Sequence, residues 1–243
     1  MLALVNGELC ADNRLLQQDD LIELFSTATS AGAEQLDAAL VERQGSTIQQ
    51  RLKWACVGIA GCGGLGSAIA VALARSGVGR LILVDFDRVE TSNLNRQHYF
   101  ADQIGLPKVV ALQQNLRRIH PGIHVRSHMA RVDTDNIGPL FAQADLLIEA
   151  FDEAKAKALL TESWLHQHPA RPLVGASGVA GSGPANSIVT RRAFGRFYLC
   201  GDGHSEATAT TSLMATRVGI AAHHQAHAAL RLLLGLDPLE END

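Results

Sequence analysis

The chain has 243 residues, 47% of them hydrophobic, which excludes extensive disorder and allows one α/β domain, or one domain with a small appendage, around a sizeable core. Its net charge of -4 and pI near 6.2 lack the basic excess of a general nucleic-acid binder, so no nucleic-acid partner is expected. Met1-Leu2-Ala3-Leu4-Val5 gives way to Asn6-Gly7-Glu8 too soon for a signal peptide, and no uncharged apolar run reaches membrane-spanning length; the expectation is a cytoplasmic protein with no membrane partner.

In chain order, Leu2–Val5 followed by Asn6-Gly7 predicts a strand running into a turn, and Asp19-Asp20-Leu21-Ile22-Glu23-Leu24-Phe25 predicts a helix start with acids in its first turn. Gln35 to Gln50 reads as a helix or helix pair. Residues 1–45 are therefore expected to form an N-terminal appendage and 46–243 a nucleotide-binding domain. From Trp54 onward, apolar strands alternate with amphipathic helices. The expected strands are Trp54–Ala60, Arg80–Asp85, His124–His128, Asp145–Ala150, Pro172–Ala176 and Ser187–Thr190. The expected helices run from about Leu65 to Ser76, Pro107 to Ile119, Asp135 to Ala142, Glu153 to His168 and Ser212 to Leu234, with Gly235 and Pro238 stopping the last. Such alternation predicts an α/β, Rossmann-like, mainly parallel sheet with helices on both faces. Glu240-Glu241-Asn242-Asp243 reads as a solvated tail.

The turn Gly61-Cys62-Gly63-Gly64-Leu65-Gly66-Ser67 joins the first strand of this pattern to its helix, where free backbone N–H groups at a helix N-terminus favour phosphate. Gly61 lets the strand turn sharply, Gly63 allows close approach of an anion, and Gly66 lets helix and strand pack. This fingerprint alone marks NAD and FAD dehydrogenases, methyltransferases and ATP-users alike. Asp85, at the end of the next strand, occupies the ribose-binding position of such folds. After it comes Phe86-Asp87-Arg88-Val89-Glu90-Thr91-Ser92-Asn93-Leu94-Asn95-Arg96-Gln97, crowded with groups able to bind phosphate and ribose. Lys108 opens the following helix, where a cation opposes the helix dipole and usually answers to an anion. Asp152 ends the fourth strand, at the carboxyl edge where α/β folds bind ligands.

These pieces together, with Gly77-Val78-Gly79 and Gly105-x-Pro107-Lys108, resemble the ThiF/MoeB/HesA family, relatives of the ubiquitin-activating enzymes, from about Arg43 to about Leu234. Glu149-Ala150-Phe151-Asp152 and Ala176-Ser177-Gly178 resemble the short, divergent ThiF proteins of thiamine biosynthesis in particular. The resemblance implies an enzyme that uses Mg-ATP to adenylate the C-terminal Gly-Gly carboxylate of a ubiquitin-like, ThiS-like sulfur carrier protein, releasing pyrophosphate. It implies that Gly61, Gly63, Gly64 and Gly66 cradle the nucleotide with Asp85 on the ribose and Asp87 and Gln97 nearby. Asn93, Arg96 and Lys108 would hold the phosphates, and Asp152 the Mg²⁺. Arg43 would correspond to the arginine that reaches from one subunit of a homodimer into the other's triphosphate site.

The four cysteines, Cys10, Cys56, Cys62 and Cys200, contain no CxxC pair, so no zinc is expected. Some relatives use a cysteine in the region of Cys200 for an acyl persulfide or thioester; the alternative is an inert cysteine at a strand end. His223 and His227 share a helix face, but without a carboxylate at ligand spacing the helix reads as packed at an interface. The rivals to an adenylyltransferase are a tRNA threonylcarbamoyladenosine dehydratase, against which the net negative charge argues, and an NAD-dependent oxidoreductase, which has no use for Arg96, Lys108 and Asp152.

Overall fold

The computed structural model describes residues 2–6, 8–9, 15–25, 32–208 and 210–241. Cys10, Gly7 of the expected turn and the last two residues of the expected tail lie outside them. At the N-terminus β1 (Leu2–Val5), β2 (Glu8–Leu9) and β3 (Ile22–Phe25) form a three-stranded antiparallel sheet ordered β2-β1-β3. The helix expected over Asp19–Phe25 is thus a strand. Tertiary pairing overrides the acidic start: Leu21 N–H donates to the Asn6 side chain, Asn6 N–H donates to Leu21 O, and β3 then runs in register against β1. Helices α1 (Gly32–Gln44) and α2 (Ser46–Trp54) follow, so that the helix or helix pair read over Gln35 to Gln50 is a pair.

The main sheet has seven strands in the order β6-β5-β4-β7-β8-β10-β9. They are β4 (Cys56–Ala60), β5 (Arg80–Val84), β6 (His124–His128), β7 (Leu146–Glu149), β8 (Leu173–Ala176), β9 (Val189–Phe194) and β10 (Phe197–Gly201), all parallel except the edge strand β9. Alternation along each strand sends side chains to two cores. Val57, Ile59, Leu81, Leu83, Leu146 and Ile148 pack with α3 (Gly64–Arg75), α4 (Lys108–Ile119) and α7 (Ala215–Leu233). Cys56, Ala60, Ile82, Val84 and Leu147 face α5 (Ile137–Phe141) and α6 (Ala154–Gln167), where Phe141 and Trp164 meet edge to face. Helices therefore cover both faces, as the sequence pattern requires.

The chain winds outward from β4 through β5 to β6, then returns to lay β7 against the other side of β4. That reversal places the topological switch point, where open α/β sheets hold their ligands, between the carboxyl ends of β4 and β7. The far, amino edge of the sheet carries α1 and α2. There Asp37 of α1 binds Lys53 at 2.6 Å and lies 3.6 Å from His120, just ahead of β6.

Candidate active site

At the switch point the glycine-rich turn is held through its Gly61 N–H, which donates to Val84 O at 2.8 Å, and its Cys62 N–H, which donates to Asp85 at 2.6 Å. Gly63 caps α3 with no side-chain hydrogen bond, so the first-turn N–H groups remain free for an anion. Gly61 adopts φ +95°, and a Cβ there would lie 2.7 Å from Ala150 O, so the turn rests directly on the end of β7. A Cβ on Gly66 would fall 1.8 Å from Gly61 O. Beside Gly63 only the Gln97 amide comes near, at 3.8 Å from a Cβ position, and a Cβ on Gly64 would meet Val218 Cγ1 at 3.0 Å and Arg96 Cγ at 3.7 Å.

Asp85 is buried at the end of β5 and accepts two backbone N–H bonds, from Cys62 at 2.6 Å and Asp87 at 2.7 Å. Burial pushes its carboxyl above the ordinary aspartate value, opposed by those two bonds and by the nearby Lys108 ammonium. Asp85 thus ties the glycine turn to the β5 exit, and each oxygen keeps a lone pair for a hydroxyl donor. Lys108 is 6% exposed and donates to Asp87 at 2.8 Å. Its ammonium has two further protons. Arg96 donates to Ser92 O at 3.0 Å and to the Asn95 side chain at 2.9 Å through one nitrogen, which leaves the rest of the guanidinium fork for phosphate. Asn93 is buried, and its side-chain oxygen accepts the Glu90 N–H to cap the short turn Thr91–Asn93. Gln97 is buried too, with its Oε1 unpaired among the described residues.

Asp152 follows β7 on the same rim. It is exposed, and among the described residues its carboxylate makes no hydrogen bond or ion pair. Arg43 is not brought to this rim: it lies exposed in the last turn of α1, whose ion pairs are at the amino edge of the sheet.

Some supports of the site carry no sequence motif. The Tyr99 hydroxyl donates to Cys62 O at 2.6 Å, and Ser67 Oγ donates to Gly63 O at 2.7 Å while accepting the His98 N–H. The segment 97–99 therefore clamps the glycine turn from above. A spacing of more than 30 residues hides both contacts from a local reading. Farther along, Arg217 is 4% exposed, pairs with Asp202 and donates to Ala180 O, Gly183 O and Pro184 O, fixing the glycine-rich loop after β8.

Cys200 is fully buried in β10 with Thr190 Oγ1 at 3.5 Å, and burial pushes its thiol up to about 11. Its setting is that of an inert thiol, not of the reactive alternative raised by the resemblance. Alkylation by iodoacetamide at pH 8 is expected to spare Cys200 in the native protein and to modify it only after unfolding; mass mapping of the Cys200 peptide checks this. His223, His224 and His227 line an apolar groove of about 680 Å³ on α7. Within it His224 pairs with the Thr190 hydroxyl at 3.0 Å, and burial followed by the neighbouring His227 lowers its pKa.

Comparison with known proteins places the chain among relatives and structures of similar fold. A sulfur carrier protein adenylyltransferase of Thermus thermophilus is 34% identical over 125 residues, 51% of this chain and 46% of that protein, so the match spans less than half of that relative. A molybdopterin-synthase adenylyltransferase of Salmonella typhimurium is 34% identical over 190 residues, 76% of this chain and 75% of the relative. Among solved structures, the E. coli tRNA N6-threonylcarbamoyladenosine dehydratase in complex with ATP superposes with a TM-score of 0.75 at 22% identity, over 83% of this chain and 95% of that one, a likeness of fold. The model of the ThiF family matches residues 33–242, which take in the whole seven-stranded sheet, the helices on both its faces and every residue of the rim described above, and the chain belongs to that family.

Proposed function

We propose that this chain is an ATP-dependent adenylyltransferase that activates the C-terminal Gly-Gly carboxylate of a ubiquitin-like sulfur carrier protein, ThiS-like, as an acyl-adenylate in thiamine thiazole biosynthesis. The observation that carries this reading is that an uncapped helix N-terminus, a buried acid at the end of β5, the cationic Arg96 and Lys108 and the Asp152 carboxylate, unpartnered among the described residues, lie on one rim of the sheet. An NAD oxidoreductase would need the first two features and not the others. The names of the Thermus and Salmonella relatives support adenylyl transfer.

In the reaction a carboxylate oxygen of the carrier forms a bond to the α-phosphorus of ATP. The bond from that phosphorus to the bridging oxygen breaks, and pyrophosphate leaves. Two anions meet, so catalysis consists of spreading positive charge and holding the reactants in line; no proton need be moved. The N–H groups at the start of α3 and the Arg96 and Lys108 side chains would take the phosphates, while Asp85 would fix the ribose. The donor set also suits Mg²⁺: one exposed carboxylate, Asp152, beside a phosphate-binding turn matches an ion that keeps its waters and binds mostly through substrate oxygens. Bound there, Mg²⁺ supplies neutralisation of the phosphate charge.

The test is Mg²⁺-dependent exchange of labelled pyrophosphate into ATP, with a ThiS-type and a MoaD-type carrier in parallel. Exchange with the ThiS-type carrier alone is the expected result. Exchange with neither, when ATP binding is verified, would overturn the reading and turn attention to a tRNA substrate, as in the dehydratase of the same fold.

A further inference from the structure

The end of β7 hides an ion pair that the adenylation chemistry does not itself require. Glu149 is 2% exposed, and its carboxylate takes the Lys157 ammonium from α6 at 2.9 and 3.1 Å. Its first oxygen also accepts the Phe151 N–H at 2.7 Å, and its second the Ala176 N–H at 3.4 Å. Lys157 in turn donates to Ala176 O at 3.1 Å. The β7–β8 ladder stops at Ile148 and Val174, so beyond that register the two strands part. The backbone groups of Ala176 that would have continued the ladder are satisfied by the two side chains instead. A charged pair so buried is weak evidence of stability, because desolvation offsets its attraction. What it does supply is geometry: the carboxylate that accepts the Phe151 N–H, and so holds the turn Ala150–Asp152, is itself held by the Lys157 ammonium and the Ala176 N–H.

We propose that the Glu149–Lys157 pair is a positioning device that aims Asp152 at the phosphates held by the glycine turn. The inference rests on the adenylyltransferase reading. Gly61 lies against Ala150 O and the Phe151 ring, so a shift of that turn moves the carboxylate and the phosphate cradle relative to one another. Glu149 itself touches no substrate. Lys157 is bound on both sides of the gap, to Glu149 and to Ala176, and so sets how far the β7 and β8 ends separate.

Glu149→Gln tests this, since its amide NH₂ must face a backbone N–H or the ammonium whichever way it turns. We expect the variant to keep a wild-type circular dichroism spectrum and unchanged KM for the carrier. Its kcat for pyrophosphate exchange should fall about 10- to 100-fold, the usual cost of losing a support of this kind. The Mg²⁺ concentration for half-maximal exchange should rise about tenfold, again the scale of a lost ligand support. In an Asp152→Asn background Glu149→Gln should have no further effect, because residues acting as one unit are non-additive. Lys157→Met should reproduce the Glu149→Gln pattern and Lys157→Arg should restore most of the activity. Independently of activity, deuterium uptake at Phe151 and Ala176 should quicken in Glu149→Gln while β5 stays protected. Wild-type-like exchange and Mg²⁺ dependence, effects that multiply with Asp152→Asn, or unchanged uptake at Phe151 would overturn the proposal. Absence of exchange in the wild-type protein would count against the adenylyltransferase reading alone, with the uptake measurement then deciding the positioning role.

Discussion

Gly66→Ala is expected to lower the unfolding free energy by roughly 3 kcal/mol, the upper range for overpacking a closed site. The added methyl would sit 1.8 Å from the carbonyl oxygen of Gly61. That oxygen belongs to a backbone already wedged between Val84 O, which accepts the Gly61 N–H at 2.8 Å, and the end of β7, so nothing flexible can move aside. Gly63→Ala is the control, because its methyl meets only the tip of Gln97, at 3.8 Å. Urea unfolding should show a large fall in midpoint for Gly66→Ala and a small one for Gly63→Ala. Equal midpoints for the two variants would contradict the packing argument.

Arg96→Ala and Asp152→Ala should each reduce carrier-dependent pyrophosphate exchange by roughly 10²- to 10³-fold, the loss that follows removal of one fixed charge partner of a transition state. Both should fold normally. Asp152 is exposed and its carboxylate makes no hydrogen bond or ion pair to any described residue, and Arg96 is half-buried with its side-chain hydrogen bonds confined to its own turn. Melting temperatures within a few degrees of the parent, measured beside the exchange rates, would separate lost chemistry from lost structure. Near-normal exchange in both variants would remove them from the machinery.

Most of the domain was legible because its signals are local. The strand His124–His128 has the bounds the sequence suggests, and the Gly61–Ser67 turn, its helix and the acid at Asp85 fall within one short βαβ unit whose glycines and apolar runs name their own positions. Legibility fails where long-range partners decide. Ile22–Phe25 has an acidic entrance that suits a helix, and only pairing with β1 makes it a strand. The extension of β9 to Phe194 depends on β10 lying antiparallel beside it. In the site, Asp85 and Lys108 stand out by residue type and spacing. The Tyr99 hydroxyl on Cys62 O and the Glu149 carboxylate on Ala176 N–H join residues 37 and 27 positions apart, and neither contact leaves a periodic trace. Glu149 is a further instructive case, since glutamate is by residue type mostly exposed and here it is buried.

The place of Arg43 has a consequence for how activity is measured. With α1 fastened to the amino edge by Asp37, Arg43 is carried on a helix at the end of the sheet away from the nucleotide rim. If Arg43 acts at the rim of a second copy, as the family resemblance implies, specific activity would fall on dilution through the dissociation constant of that assembly. Arg43→Ala would flatten that curve, and mixing it with an Arg96→Ala chain would restore one working site per mixed pair.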